Sequence, residues 1–594
     1  MSAYTNEEIV ERAREYVKYE SDKRFAEEVE TLLSEGNEKE LSDRFYTDLE
    51  FGTGGLRGVI GGGYNRMNPL VVGRATEGLA RYVAEHGEQE ADERRAVIAH
   101  DSRRFSDSFA LQAALVFAAH GIHAFLFPSL RPTPELSFAV RKLGASTGVV
   151  VTASHNPPEY NGYKVYWADG AQIVAPHDKA IIQEVRAVSG APKSITKEEA
   201  LERGLLTYLD ESMDDEFVAM VKRQIIRPEL LETRGSSIKV VYTPLHGTGA
   251  MMVERVLGDF GVNVVTVPEQ RDPDGEFPTV EFPNPEEASA MKLALELGER
   301  EQADIVMGTD PDADRLGIAV PGPDGYQLIT GNQLGVLLAD YILGGRKELG
   351  ILPEKPVFVK TVVTTELQRK VAEGYGVRVE DTLTGFKHIA TVMRELDTHP
   401  DRGTYVMGDE ESYGFLIGRE VRDKDAITAS VLTAEMALYH VSEGKSVLDR
   451  LEEIYGKHGY YEEIQISKYF RGMSGTDVMQ GLMKKLRENP PKEIGGVAVS
   501  MIKDYQKQTV TDAASGEQLE SISLPVSNVL KFVLEDESVV SCRPSGTEPK
   551  IKFYASVSED PGMDLAAAKK SVGTQLEQIE AWVDAQIAEA EKGA

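Results

Sequence analysis

The chain is 594 residues long, with 41% hydrophobic and 27% charged residues, a net charge of −32 and one cysteine, Cys542; that length exceeds one hydrophobic core and, at roughly 150 residues per domain, predicts about four domains. The acidic balance argues against a nucleic-acid binder, since its surface repels polyanions, and a lone cysteine excludes an intramolecular disulfide or a cysteine-based zinc cluster. No apolar stretch reaches membrane-spanning length and residues 1–20 lack the apolar core of a secretory signal, so no membrane partner and a cytoplasmic location are expected, with Cys542 as a small buried residue.

Residues 1–50 carry Ile9, Ala13 and Val17, then Phe25, Val29, Leu32 and Leu33, at helical spacing, which predicts amphipathic helices packing as an extension. The glycine-rich stretch 51–58, with Arg57 near its end, lets backbone approach an anion closely or is a flexible loop. It is not a dinucleotide fingerprint, because the third glycine position holds Arg57. Strand 95–100, helix 109–120 and strand 122–128 predict a parallel βαβ unit. Strand 147–151 then runs into Thr152-Ala153-Ser154-His155-Asn156-Pro157-Pro158. Proline stops the strand, so the Ser154 hydroxyl is presented at a strand's carboxyl end, where open α/β sheets bind ligands. A plain turn held by local side-chain hydrogen bonds is the alternative.

The pattern recurs at strand 238–243, helix 251–260 and strand 262–267, and again at strand 356–363, helix 366–373 and strand 377–379, giving three α/β units in all. Gly247-Thr248-Gly249 fails as a cofactor motif because the third glycine position is Met252, and Gly444-Lys445-Ser446 fails as a nucleotide loop because residue 439 is tyrosine. Strand 303–309 leads into Asp310-Pro311-Asp312-Ala313-Asp314-Arg315. In an extended segment these three carboxylates share one side and converge on a hard cation, and Mg²⁺ suits so few protein ligands beside a phosphate. The loop 408–414, with Glu410 and Ser412, is suited to sugar hydroxyls, though a charged surface turn is the competing reading. Composition breaks near 224–237 and 344–355 divide the chain into 1–230, 231–348, 349–468 and 469–594. The last segment, with strands 527–534 and 551–557 before helix 564–592, reads as α+β. Its stretch Arg543-Pro544-Ser545-Gly546-Thr547 combines a guanidinium fork, hydroxyls and a glycine turn suited to a phosphate dianion; a basic hairpin without a ligand is the alternative.

Taken together, 152–157, 310–315, 410–414 and 543–549 resemble the four signature loops of the α-D-phosphohexomutases, in that family's order. The resemblance spans about 51–554 and implies three α/β domains and a mobile α+β lid around a central cleft. It implies that Ser154 is carried as phosphoserine, with Mg²⁺ held beside it by Asp310, Asp312 and Asp314. Glu410 and Ser412 would bind sugar hydroxyls, and Arg543, Ser545, Gly546 and Thr547 the phosphate that does not react. Lys164 matches the family's general acid/base, Arg57 and His155 match residues near the serine, and Lys387 matches a substrate-facing loop. The run 161–173 and the long N-terminal extension are most similar to the branch of bacterial phosphoglucomutases and phosphopentomutase-like members. Asp409 stands where the commoner hexomutase loop has glycine, which bears on the sugar preference.

The expected activity is interconversion of glucose 1-phosphate and glucose 6-phosphate, with glucose 1,6-bisphosphate as intermediate and activator, by a monomer or homodimer. Action on pentose or also mannose phosphates is the nearest alternative. A phosphatase using the same serine and a non-catalytic phosphosugar sensor are the other readings, the last disfavoured because the whole set of reactive residues is present.

Overall fold

The computed structural model describes residues 4–52, 54–89, 93–470, 475–545 and 550–592. The chain forms two compact units, Met1–Leu334 with Ile389–Gly444, and Gly335–His388 with Lys445–Ala594.

The first unit holds a six-stranded sheet in the order Gly55–Val59, Tyr160–Trp167, Thr147–Val151, Arg95–His100, His123–Leu126, Leu206–Tyr208. The βαβ expectation holds: Arg95–His100 runs parallel to both His123–Leu126 and Thr147–Val151. Thr147–Val151 is buried at every position, as an apolar β-branched strand covered on both faces must be. Three strands of this sheet were not legible, among them the short Leu206–Tyr208. Residues 55–59 are an edge strand rather than a loop, and Tyr160–Trp167 is inserted antiparallel between that edge and Thr147–Val151. Val72, Leu79, Phe109, Phe117 and Tyr163 form the core against this sheet.

Three N-terminal helices, Asn6–Tyr19, Lys23–Glu35 and Glu38–Phe45, build a core of their own. Tyr16, Phe45 and Tyr64 meet edge to face in it, the arrangement aromatic quadrupoles favour. A five-stranded sheet follows, ordered Gly325–Ile329, Leu316–Gly322, Ile305–Thr309, Lys239–Thr243, Asn263–Thr266. The hairpin of Thr404–Glu410 with Gly414–Ile417 completes the first unit, with the almost wholly buried helix Ala426–Ser442.

In the second unit, Pro356–Thr361 lies parallel to Arg378–Thr382, a longer strand than 377–379 suggested. The C-terminal sheet is antiparallel throughout: Tyr460–Tyr469, Lys550–Glu559, Val539–Pro544, Leu530–Leu534, Val497–Asp504, Thr509–Asp512, Gln518–Ser521. Helices Gly475–Glu488 and Leu565–Lys592 pack with it, so this segment is α+β as expected. Cys542 is buried in its strand, and burial pushes the thiol up to about 12, which leaves it inert as a nucleophile.

Candidate active site

Ser154 follows the sheet strand Thr147–Val151 in a tight turn and adopts the left-handed conformation, φ 51°. A non-glycine residue there is held by its surroundings. Its N–H donates to Thr152 Oγ1 at 2.8 Å, and Thr152 Oγ1 donates to Asp101 Oδ2 at 2.6 Å. Beneath the turn lies the buried Arg103, whose guanidinium donates to the carbonyls of Ser154 (2.6 Å), Pro157 (2.8 Å), Tyr160 (3.0 Å) and Asn156. The same guanidinium pairs with Asp101 at 3.3 Å and lies over the Phe277 ring. Arg103 was passed over in the sequence, although Asp101-Ser102-Arg103 directly follows the end of a buried strand.

The three aspartates converge, but not as an extended segment. Residues 311–312 form a turn and Ala313 takes φ 51°, so chain reversal rather than strand alternation brings the carboxylates together. One oxygen from each lies within 4.8 Å of the others, all three residues being buried. Gly247 makes room for this turn, since a Cβ there would fall 2.3 Å from Pro311 Cα.

The oxygens divide their work. Asp310 Oδ1 accepts from the N–H groups of Asp314 and Arg315 at 3.0 and 2.9 Å, while Oδ2 accepts from the Ser154 hydroxyl at 2.7 Å. Asp312 Oδ2 accepts from Lys164 Nζ at 2.7 Å and Thr133 Oγ1 at 2.8 Å. Asp314 Oδ2 accepts from Lys164 Nζ at 3.1 Å and pairs with Lys424 Nζ at 3.2 Å. Oδ1 of Asp312 and Oδ1 of Asp314 are buried without a hydrogen-bond partner among the described residues. Unsatisfied buried carboxylate oxygens are costly, and two beside a third carboxylate are the donor set of a hard divalent cation. The three aspartates therefore fit a metal site.

Charge in the site follows from this geometry. Burial, then the Asp314 and Asp312 charges, push the Asp310 carboxyl well above the usual range. Burial also opposes ionisation of Asp314, but Lys164, Lys424 and Arg315 outweigh it and hold the group below that range. Lys164 is likewise held charged against burial by Asp312 and Asp314. His155 Nδ1 lies 3.1 Å from Ser154 Oγ, and burial, reinforced by Arg315 and Arg57, keeps the ring neutral. Arg57 Nη1 donates to Asn156 Oδ1 at 3.1 Å, steadying the far side of the turn.

Glu410 and Ser412 lie in the hairpin beside the metal turn: Leu316 N–H donates to the Tyr413 carbonyl at 3.0 Å, and Glu410 is close enough to raise the pKa of Arg315 and of Lys424. Lys424 was also missed; with Asp423, which accepts from Tyr166 OH at 2.7 Å, it ties the segment after this hairpin to the metal turn. In the second unit, Lys387 and Arg543 both add to the burial that lowers His388 to about 4, which places the two cations near one neutral imidazole. Ser545 N–H donates to the Lys550 carbonyl at 2.7 Å, while Gly546 and Thr547 lie outside the described residues.

Comparison with known proteins identifies the family. Residues 48–191, 215–323 and 330–458 match the models of phosphoglucomutase/phosphomannomutase α/β/α domains I, II and III. A phosphoglucomutase of Staphylococcus haemolyticus is 36% identical over 521 residues, 87% of this chain and 91% of its own length. Among solved structures, Paramecium parafusin, a phosphoglucomutase, superposes with a TM-score of 0.66 at 17% identity, over 92% of this chain and 96% of that one. A Burkholderia thailandensis protein of the phosphoglucomutase/phosphomannomutase family gives 0.64 at 19% identity, covering 92% and 99%. With three successive domain models matched and 36% identity to a relative over 87% of the chain, the chain belongs to the phosphoglucomutase/phosphomannomutase family of phosphohexomutase isomerases.

Proposed function

We propose that the protein interconverts glucose 1-phosphate and glucose 6-phosphate, with Ser154 as the residue that carries the phosphoryl group. The observation that supports this most directly is the Ser154 hydroxyl, buried and 2.7 Å from one member of an aspartate trio with two oxygens that lack a hydrogen-bond partner among the described residues. Asp310, Asp312 and Asp314 would hold Mg²⁺, which when bound neutralises charge on the phosphoryl group. The chain's own residues do the rest. In the forward half-reaction a sugar hydroxyl attacks phosphorus, the bond from phosphorus to Ser154 Oγ breaks, and the hydroxyl proton is lost as Ser154 Oγ regains one. The product of this step is glucose 1,6-bisphosphate, which returns its other phosphate to Ser154 after reorienting. Lys164, kept protonated by two carboxylates, is assigned to the proton exchange, and His155 and Arg57 support the serine turn. Glu410 and Ser412 take sugar hydroxyls, Lys387 faces the substrate, and Arg543, Ser545, Gly546 and Thr547 take the phosphate that does not react.

In this reading the chain works as four domains, 1–230, 231–348, 349–468 and 469–594, in the cytoplasm, as a monomer or homodimer and without a nucleic-acid partner. No helix among the described residues is long and apolar enough to cross a membrane. The test is intact-mass analysis of the purified protein together with kcat/KM for glucose, mannose and ribose 1-phosphates. A phosphate on Ser154, loss of turnover in Ser154→Ala and preference for glucose are expected. Normal mutase activity in Ser154→Ala would overturn the phosphoserine route, and a higher kcat/KM for ribose or mannose would reassign the sugar.

A further inference from the structure

Which oxygen of Asp312 faces the cation is decided from outside the metal turn. Thr133 opens the helix Thr133–Lys142, yet its hydroxyl does not cap that helix. It donates instead to Asp312 Oδ2 at 2.8 Å, and the Thr133 N–H donates to the Asp312 carbonyl at 2.9 Å. One residue thus grips both the main chain and the side chain of a single metal ligand, and both residues are 0% exposed.

We propose that Thr133 is a positioning residue that locks Asp312 Oδ2 and thereby presents Oδ1 to the divalent cation; the proposal rests on the metal reading above. Lys164 holds the same Oδ2, but it also serves Asp314 and is the group assigned to proton exchange, so its grip changes during turnover. A neutral hydroxyl keeps its hydrogen bond throughout. The segment carrying Thr133 is itself braced: Arg131 donates through Nε and Nη2 to the two oxygens of Asp214, each at 2.9 Å, and through Nη1 to Ser129 Oγ and the Leu130 carbonyl. A two-point guanidinium fork on a buried carboxylate fixes direction as well as distance, so the threonine is aimed rather than merely near.

The test is calorimetric titration of Mg²⁺ into chelator-stripped full-length protein, for wild type, Thr133→Val, Thr133→Ala and Thr133→Ser, with melting temperatures of the metal-free forms. Loss of such an outer partner weakens metal binding by about 10- to 100-fold, so Val and Ala should bind Mg²⁺ that much more weakly and Ser should recover most of the affinity. Valine is nearly isosteric; should it fail to fold, the Ala and Ser pair decides. Wild-type affinity in Thr133→Val or Thr133→Ala, or Ser binding as weakly as Ala, would overturn the role of Thr133. Absence of Mg²⁺ binding by wild type would overturn the metal reading and this proposal with it.

Discussion

Replacing Arg103 by methionine keeps the volume but removes every donor beneath the serine turn. Four carbonyls, of Ser154, Asn156, Pro157 and Tyr160, lose the guanidinium, Pro157 keeping the Tyr160 N–H at 3.1 Å, and Asp101 is left as a buried carboxylate with only neutral donors, from Thr152, Ser106 and the Arg103 backbone. Adding single hydrogen bonds overstates the loss, because the turn can relax toward water. Breaking one side of a buried pair is the better guide, at about 3–5 kcal/mol. The loss also has a pH signature. Burial raises the Asp101 pKa, with Arg103 the largest force in the other direction. The native state therefore holds a proton that the unfolded chain has already released, and stability falls as pH climbs through that window. Without Arg103 the window extends upward, so the deficit of Arg103→Met should be smaller at about pH 5 than at about pH 8. The protein has two tryptophans, Trp167 in the strand beside the turn and Trp582 in the C-terminal helix. In a Trp582→Phe background, urea unfolding followed by indole fluorescence reports the first sheet alone, and kcat/KM reports the turn. If Arg103→Met unfolds within ~1 kcal/mol of its parent and keeps its kcat/KM, the guanidinium is not the support of the serine turn.

Chelation should stop turnover without unfolding the protein, and Mg²⁺ at about 100 times its Kd should restore activity and add about 2.7 kcal/mol of stability; full activity after exhaustive chelation would remove the metal site. Arg543→Ala should lose ~1.5–3 kcal/mol of transition-state stabilisation, a roughly 10- to 150-fold fall in kcat/KM with little change in melting temperature. Unchanged kcat/KM would make the basic hairpin structural. Phe45→Ala removes the centre of the aromatic trio and should cost about 3–5 kcal/mol, read as early melting of the N-terminal helices by circular dichroism; a melting curve identical to wild type would show that this core does not hold the extension.

What could be read from the sequence was local. The strand Thr147–Val151 ends with its β-branched run, and the turn after it leads into Asn156-Pro157-Pro158, so both the run and the break are properties of neighbouring residues. Tyr160–Trp167 escaped because Asn161-Gly162 reads as a turn signal. In the fold Gly162 is needed for a different reason: a Cβ there would fall 2.4 Å from the Thr152 carbonyl, so glycine lets the strand carrying Lys164 pass close beside the serine turn. The aspartate trio was legible as a cation site but not in its conformation, since Ala313 gives no hint of positive φ. Arg103, Thr133 and Lys424 were not legible at all. Each acts on residues 51 to 179 positions away, and local composition does not show that partner, although Arg103 does follow closely on the end of a buried strand.

The arrangement of donors around Ser154 links the proposed metal site to the proposed phosphoryl carrier. As a free hydroxyl, Ser154 satisfies Asp310 Oδ2, and Asp310 Oδ1 is already filled by two backbone N–H groups. Esterification removes that donor and puts an anion in its place, next to a carboxyl that burial and two like charges already push toward the neutral form. Of the nearby cations, Lys164 pairs with Asp312 and Asp314, Lys424 with Asp314 and Asp423, and Arg315 with Glu286 and, at 3.9 Å, Asp314 Oδ1, while Arg57 donates to Asn156. His155 is held neutral and so brings no charge. In the proposed reading, further charge balance at a phosphorylated Ser154 would come from an ion held by the Oδ1 atoms of Asp312 and Asp314, which lack hydrogen-bond partners among the described residues. The same ion would favour ionised Asp310, because opposite charge at close range offsets the burial that disfavours it. If Ser154 carries the phosphoryl group and the aspartate trio the cation, as proposed, the two would be coupled through Asp310, each making the other less costly, and by linkage the coupling would be equal in both directions.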